Sequence, residues 1–401
     1  MAASDTPMAL GGLVVLDLSR ILAGPTATQI LGDFGATVIK VENPKTKGDD
    51  TRSWGPNYAR NTDGTPTDLS AYFMAANRNK QSISVDLSTE DGQETVRALA
   101  ARADVVIENY KPGGLEKYGL DHATLLAAHP QLVYCSISGF GQTGPNREQP
   151  GYDLMAQGYG GIMSLTGDPD GPPMKVGVGI ADVMCGMYAA IGILAALHHR
   201  DATGEGQHID LALVDAQMAW LINEGCNYLT SGKLPERRGN AHPNIVPYDA
   251  FPCADGHLLL AVGNDAQFAR FCDAFGLSQI AADPAYTTNL ARIENRVALT
   301  EIITEALKDT PRAEVLSRCH AVKVPAGPIH TVAEALQSDQ AQARGTVVDV
   351  PADGTENGAV QLLANPLKLS RTPVQYRYAP PRFGQDTEAV LRTLEDPSKS
   401  D

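Results

Sequence analysis

Asp182 stands directly in front of an unbroken apolar run, residues 183–197, within GVGIADVMCGMYAAIGILAAL. A carboxylate there has two uses. As a helix N-cap, its oxygen accepts a bond from an early backbone N–H. As a nucleophile, it attacks a carbonyl carbon. The nearby glycines Gly177, Gly179, Gly186 and Gly192 would let a ligand or another backbone come close. On spacing alone the cap is the commoner use, so the context must decide.

Two glycine-rich loops offer further chemistry: residues 108–114 (ENYKPGG) and 138–145 (SGFGQTGP). Each follows a predicted strand, beyond whose carboxyl end parallel α/β sheets bind ligands. Exposed N–H groups in such loops can hold phosphate oxygens. Lys111 and Lys117, with Arg78 and Lys80 of ANRNKQ, could form a basic patch. Ordinary turn chemistry explains the same glycines equally well. His198 and His199 read as partners of a helix C-terminus. No metal-ligand spacing, phosphate-binding lysine loop or serine elbow is present.

Strands alternate with helices through the front half. Residues 13–18 (LVVLDL) predict a strand, a helix starts at Gly24-Pro25 and ends at Gly35, and 37–42 (TVIKVE) predict the next strand. Strands at 82–87, 104–107 and 132–137 follow, with helices at 90–102 and up to 128. This is the pattern of an α/β fold with a mostly parallel sheet covered on both faces. The first turn, SRILAGPTATQ, has one glycine where a dinucleotide fingerprint needs three, so nicotinamide cofactors are not expected. Residues 231–240 (SGKLPERRGN) read as a polar linker. A strand at 257–262 and helices at 266–275 and 297–309 come next. Residues 324–328 (VPAGP) read as a return linker, ahead of strands at 347–350 and 360–363 and a helix at 387–394.

The 401 residues exceed what one core usually serves, so two domains are expected. The formal charge of −15 argues against nucleic acid or an anionic membrane as a bulk partner. An anionic ligand would then need local positive charge. Six scattered cysteines, with no CxxC, read as buried thiols of a reducing, cytoplasmic protein. The start, MAASDTPMALGG, shows no leader pattern, and the 183–197 run is short for a membrane span.

Several segments match one family in register. They are LDLSRILAGPTATQILGDFGATVIKVE, GDDTRSWGP, NRNKQSISVDL, ADVVIENYKPGGLEKYGL, YCSISGFGQTGP, GYDLMAQGYGGIMSLTG and the Asp182 segment. The chain resembles the family III CoA-transferases, the group that includes formyl-CoA and carnitine CoA-transferases. The resemblance implies a Rossmann-like large domain built from both chain ends, a smaller α+β domain between them, and an interlocked homodimer. The spans expected are 1–225 and 326–401 for the large domain and 226–325 for the small one. The family nucleophile maps onto Asp182. CoA contacts map onto Ile21, Leu22, Ala23, Asn43, Val85, Asn109, Tyr110, Lys111, Lys117 and Tyr118. Tyr72, Tyr152 and Asp153 map onto positions lining the acyl site.

The implied chemistry needs neither metal nor a permanently bound cofactor, because CoA and its thioesters are the substrates. A carboxylate attacks the acyl-CoA, giving an aspartyl anhydride and then an aspartyl-CoA thioester, which splits one hard exchange into easier steps. Oxyanions that develop need N–H donors, which Gly177, Gly179 or the 239–248 loop could present. Helix N–H groups would keep Asp182 ionised. The segment 239–251 (GNAHPNIVPYDAF) points within the family to dicarboxylate substrates, plausible partners being succinyl-CoA and a short dicarboxylic acid. The distal carboxylate would need a cation; His242 and Arg52 are candidates, ahead of Arg237 and Arg238 in the polar linker. Leu22, and residues 241–246, depart from the glutamine and tetraglycine loop of formyl-CoA transferase. The alternative function is an α-methylacyl-CoA racemase, whose GHD motif is Gly151-Tyr152-Asp153 here. Tyrosine is a poor proton shuttle near neutral pH.

Overall fold

The computed structural model describes residues 7–395; the first six residues, part of the start read above as lacking a leader, lie outside them. The chain forms two compact units. The first comprises Met1–Met163, Lys175–Lys233 and Gln340–Asp401, and the second Ser164–Met174 and Leu234–Asp339.

In chain order, the first unit begins with β1 (Val14–Asp17), α1 (Ala23–Asp33), β2 (Thr37–Glu42), a hairpin of β3 (Tyr58–Arg60) and β4 (Pro66–Ser70), and α2 (Ala71–Met74). It continues with β5 (Lys80–Ser84), α3 (Glu90–Ala100), β6 (Val105–Glu108), α4 (His122–Ala128), β7 (Val133–Ser138) and α5 (Asp153–Tyr159). Then come α6 (Ile180–Thr203), β8 (His208–Ala212), α7 (Leu213–Ala219) and α8 (Ile222–Ser231). Six strands pair in the order β5-β2-β1-β6-β7-β8, all parallel. The order reverses between β1 and β6, and at such a point the loops leave the strand ends in opposite directions and open a crevice. Strands β6 and β7 are buried throughout, as a sheet covered on both faces requires. The strand expected at 82–87 lies at Lys80–Ser84. Its polar residues face buried partners: Lys80 meets Asp17, and Ser82 meets Glu42.

Helix α6 is 24 residues long, enough to cross a bilayer by length and composition, but half of its apolar window is buried. It crosses α1 so closely that a Cβ on Gly186 would fall 2.5 Å from the Ala23 carbonyl oxygen and 2.8 Å from Thr26 Cβ. Glycine here is a packing requirement. Helix α6 begins at Ile180 with Gly179 as its N-cap, so the cap expected of Asp182 is not made; Asp182 sits inside the first turn. The helix also runs to Thr203, so the last-turn cation is Arg200 and not His198 or His199.

The second unit holds β9 (Tyr248–Cys253), β10 (Gly256–Ala261), α9 (Asp265–Ala274), α10 (Ser278–Ala282), α11 (Asn289–Glu294), α12 (Arg296–Leu307), α13 (Arg312–Ala321), β11 (Ala326–Pro328) and α14 (Val332–Gln337). Its antiparallel sheet has the order β11-β10-β9, and Leu258, Leu260, Phe268, Phe271, Leu299 and Ile303 share its core. The expected return linker at 324–328 is therefore a sheet strand. This unit also takes in residues 164–174. Arg237 donates to the carbonyls of Asp168 and Gly171, and Gly239 N–H donates to Gly167. The unit's longer segment, Leu234–Asp339, leaves α8 with the first unit and takes in β11 and α14, where the span 226–325 was expected. α15 (Asp339–Arg344) leads back to the first unit, where β12 (Val347–Pro351) pairs with β13 (Ala359–Leu363) and α16 (Thr387–Glu395) covers the sheet beside β5.

Gly186→Ala should lower the unfolding free energy by about 1–3 kcal/mol through overpacking against α1. Gly192→Ala should be neutral or stabilising, because its Cβ would meet Ile209 at an ordinary 3.6 Å. Urea denaturation of both variants checks the contrast.

Candidate active site

The switch-point crevice has a volume of about 450 Å³. Its walls are the turn after β1, the loop after β6, the end of β7, the segment before α5 and the start of α6. Buried charge sets the first wall. Asp17 accepts from Ser19 N–H at 2.9 Å, and Lys40 Nζ donates to the Ser19 carbonyl at 2.9 Å. Lys40 also pairs with Asp49 at 2.9 Å, and Asp49 in turn accepts from Ile21 N–H at 3.2 Å. Ile21 is thereby held at φ +72°, a conformation a β-branched residue adopts only under constraint. The turn then feeds Leu22 and Ala23 into the crevice and α1.

Asn109 ties the second wall to the first. Its side chain accepts from Arg20 N–H at 3.0 Å and donates to the Arg20 carbonyl at 2.7 Å. Glu108 stays beneath the loop and accepts from Tyr110 N–H at 2.7 Å. Burial pushes its carboxyl up to about 7, against the pull of Ser136 and of that N–H. Lys111 and Lys117 are exposed at the crevice, with Lys117 Nζ 4.7 Å above the Tyr118 ring. The third wall depends on two touching glycines: a Cβ on Gly151 would fall 2.1 Å from Gly139 Cα. That contact brings Tyr152 and Asp153 to the end of β7.

Asp182 closes the crevice. It is one helical turn before Gly186, on the face of α6 that meets α1. The carboxyl is half-buried, and its pKa is raised to about 7, first by burial and then by the charge of Asp153. This corrects the expectation that helix N–H groups would hold it firmly ionised; desolvation and a like charge outweigh the helix terminus. Tyr72 faces the same acids. Burial raises its phenol, and the charges of Asp182 and Asp153 raise it further. Its ring meets Trp54 edge-on at 5.1 Å.

Ile21, Leu22, Ala23, Asn109, Tyr110, Lys111, Lys117, Tyr118, Tyr152 and Asp182 therefore line one crevice. Others do not. Asn43 caps a short turn at residues 44–46, accepting from Lys45 N–H at 2.9 Å. Val85 is buried in the apolar core with Ile83 and Val96. Arg52 is buried and paired bidentately with Glu42, also meets Asp68, and lies 3.7 Å over the Phe73 ring. Four of its five N–H donors are taken, by Glu42, Asp68 and the Pro381 carbonyl. Arg78 and Lys80 fail as a ligand patch for the same reason: they are buried against Asp33 and Asp17. His242 belongs to the second unit, where its Nδ1 accepts from Asn244 N–H at 3.1 Å and its ring meets Tyr248 at 5.1 Å. Sequence reasoning missed Arg20, which lines the crevice, and Gln157, whose signal was its four-residue spacing from Asp153.

The succinate–glutarate CoA-transferase of Agrobacterium fabrum is 51% identical over 388 residues, covering 96% of either chain. The succinyl-CoA:glutarate CoA-transferase of Homo sapiens is 38% identical, over 96% of this chain and 86% of that one. The crystal structure of a CAIB/BAIF family protein from Brucella suis superposes with a TM-score of 0.85 at 48% identity, over 96% of this chain and 99% of that one. The family model for CoA-transferase family III matches residues 10–387, and the chain belongs to that family of CoA-transferases.

Proposed function

We propose that this CoA-transferase moves CoA from succinyl-CoA to a short dicarboxylate such as glutarate, with Asp182 as nucleophile. The observation that carries the proposal is one crevice lined by both a carboxylate, Asp182, and a cation-bearing loop with Lys111 and Lys117. The substrate pair rests on relatives that act on succinate and glutarate. The segment 239–251 also resembles that of succinate–hydroxymethylglutarate (glutarate) CoA-transferase.

An Asp182 oxygen adds to the thioester carbonyl, the C–S bond breaks, and the CoA thiolate leaves with the electron pair. The thiolate attacks the aspartyl carbonyl of the anhydride and releases succinate, which carries away one former Asp182 oxygen. The acceptor carboxylate attacks the aspartyl-CoA thioester, and the returning thiolate takes the new acyl group. No proton is gained or lost across the cycle. Gly177 and Gly179, next to the start of α6, are the donors we assign to the developing oxyanions. A racemase would need a second base where this chain has Tyr152. Exposed Met187, Ile191 and Leu194 on α6 support a homodimer as part of the same reading, and a cytoplasmic location, with no resident cofactor, completes it.

Asp182→Ala should reduce transfer from succinyl-CoA to glutarate by roughly a thousandfold or more while leaving CoA affinity near normal. Retained turnover would refute the nucleophile. Because only ionised Asp182 attacks and its pKa is raised to about 7, kcat should fall as pH drops through about 7, nearing tenfold per unit below it. Glu108 titrates in the same range beneath the CoA loop, so the profile must be taken at saturating acyl-CoA.

A further inference from the structure

Between the second unit's excursion and Asp182 runs a short strap, residues 176–181, whose last two residues open α6 and which delivers Asp182 to the crevice. Ala181 is buried at its far end, but little side-chain burial holds residues 176–179. Val178 is 61% exposed, and a Cβ on Gly177 would meet nothing within 4 Å. A segment so poor in apolar contacts needs another source of order.

That source lies on α5. Asp153 and Gln157 are four residues apart and share one face of the helix. Asp153 Oδ1 accepts from Ala181 N–H at 2.8 Å, at the strap's far end. Gln157 Oε1 accepts from Val176 N–H at 2.8 Å, at its near end. The two side chains are joined, because Gln157 Nε2 donates to Asp153 Oδ2 at 2.7 Å. Gln157 is fully buried. A side-chain amide offers an acceptor and a donor on one planar group without carrying charge. Glutamate would keep the acceptor but turn a second carboxylate toward Asp153. Leucine would lose both bonds and leave Val176 N–H without its partner.

We propose that Gln157 is a positioning residue for the transfer reaction, closing with Asp153 a two-point clamp on the strap that fixes the aim of Asp182. The proposal rests on the reading of Asp182 as nucleophile. The hydrogen bonds of Gln157 go to Asp153 and the strap, so the clamp acts on the reacting carboxylate. Small misplacements of a reacting group cost up to about a hundredfold in rate.

The test compares wild type, Gln157→Leu and Gln157→Glu by steady-state kinetics with succinyl-CoA and glutarate and by hydrogen exchange. Gln157→Leu should lower kcat roughly tenfold to a hundredfold with KM for succinyl-CoA little changed. Amides of the peptide spanning residues 176–181 should exchange faster, with the β6 and β7 peptides unaffected. Gln157→Glu should lie between the two in both readouts, and it decides the matter if Gln157→Leu does not fold. Wild-type strap exchange or wild-type kcat in the variants would overturn the clamp, as would loss shared equally by KM and the whole sheet. Faster strap exchange combined with full turnover in Asp182→Ala would instead retain the clamp and reject the nucleophile.

Discussion

The first unit is organised by the close approach of α6 to α1 at Gly186. No larger residue fits between that helix and the Ala23 carbonyl. The approach fixes the height and rotation of α6, and one turn earlier that rotation faces Asp182 toward Leu22 and the β1 turn. The six-stranded order places the same turn at the point where the loops of β1 and β6 diverge. A carboxylate thus reaches the head of a crevice whose other walls are loop backbone and lysine. The fold is of the dinucleotide-binding type, yet the first helix begins Ala23-Gly24-Pro25 and lacks the glycines for a pyrophosphate.

Charge divides into two classes with different tasks. Lys40, Lys80, Arg52 and Arg78 are buried and paired, and they position strands and turns. Removing one partner of such a pair leaves an uncompensated charge, which costs more than the pair contributes. Lys111 and Lys117 are exposed and keep their charge for a ligand, on a protein whose net charge is −15. Asp182 lies between these classes. Burial and Asp153 raise its pKa, which weakens it as an anion near neutrality. The same desolvation leaves the ionised form poorly solvated, and excluding water would protect the proposed anhydride from hydrolysis.

Much of this was legible in the sequence wherever a pattern is local. The β-α alternation, the 37–42 strand and the glycine-rich loops follow from periodicity and turn chemistry. Asp182 stood out because a carboxylate before an apolar run is conspicuous. The family resemblance, not spacing, moved it from cap to nucleophile. What failed depended on partners distant in sequence. Arg52 and Arg78 look like free cations until Glu42 and Asp33 are seen beside them. β8 went unread because an edge strand carrying His208 and Asp210 lacks a buried strand's apolar run. β11 read as linker because Pro325 precedes it and Pro328 ends it, although proline is tolerated at a sheet edge. Residues 164–174 join the second unit through backbone carbonyls, which no side-chain pattern announces.

The central claim is that an Asp182 oxygen enters and leaves the reaction. It is tested most directly by turning over succinyl-CoA with glutarate labelled by oxygen-18 in its carboxylates, then measuring the mass of the peptide that contains Asp182. The account predicts that one heavy oxygen is deposited on Asp182 and later leaves in succinate. An Asp182 peptide that stays unlabelled through many turnovers would contradict it, since a direct exchange between the two acids needs no oxygen from the enzyme.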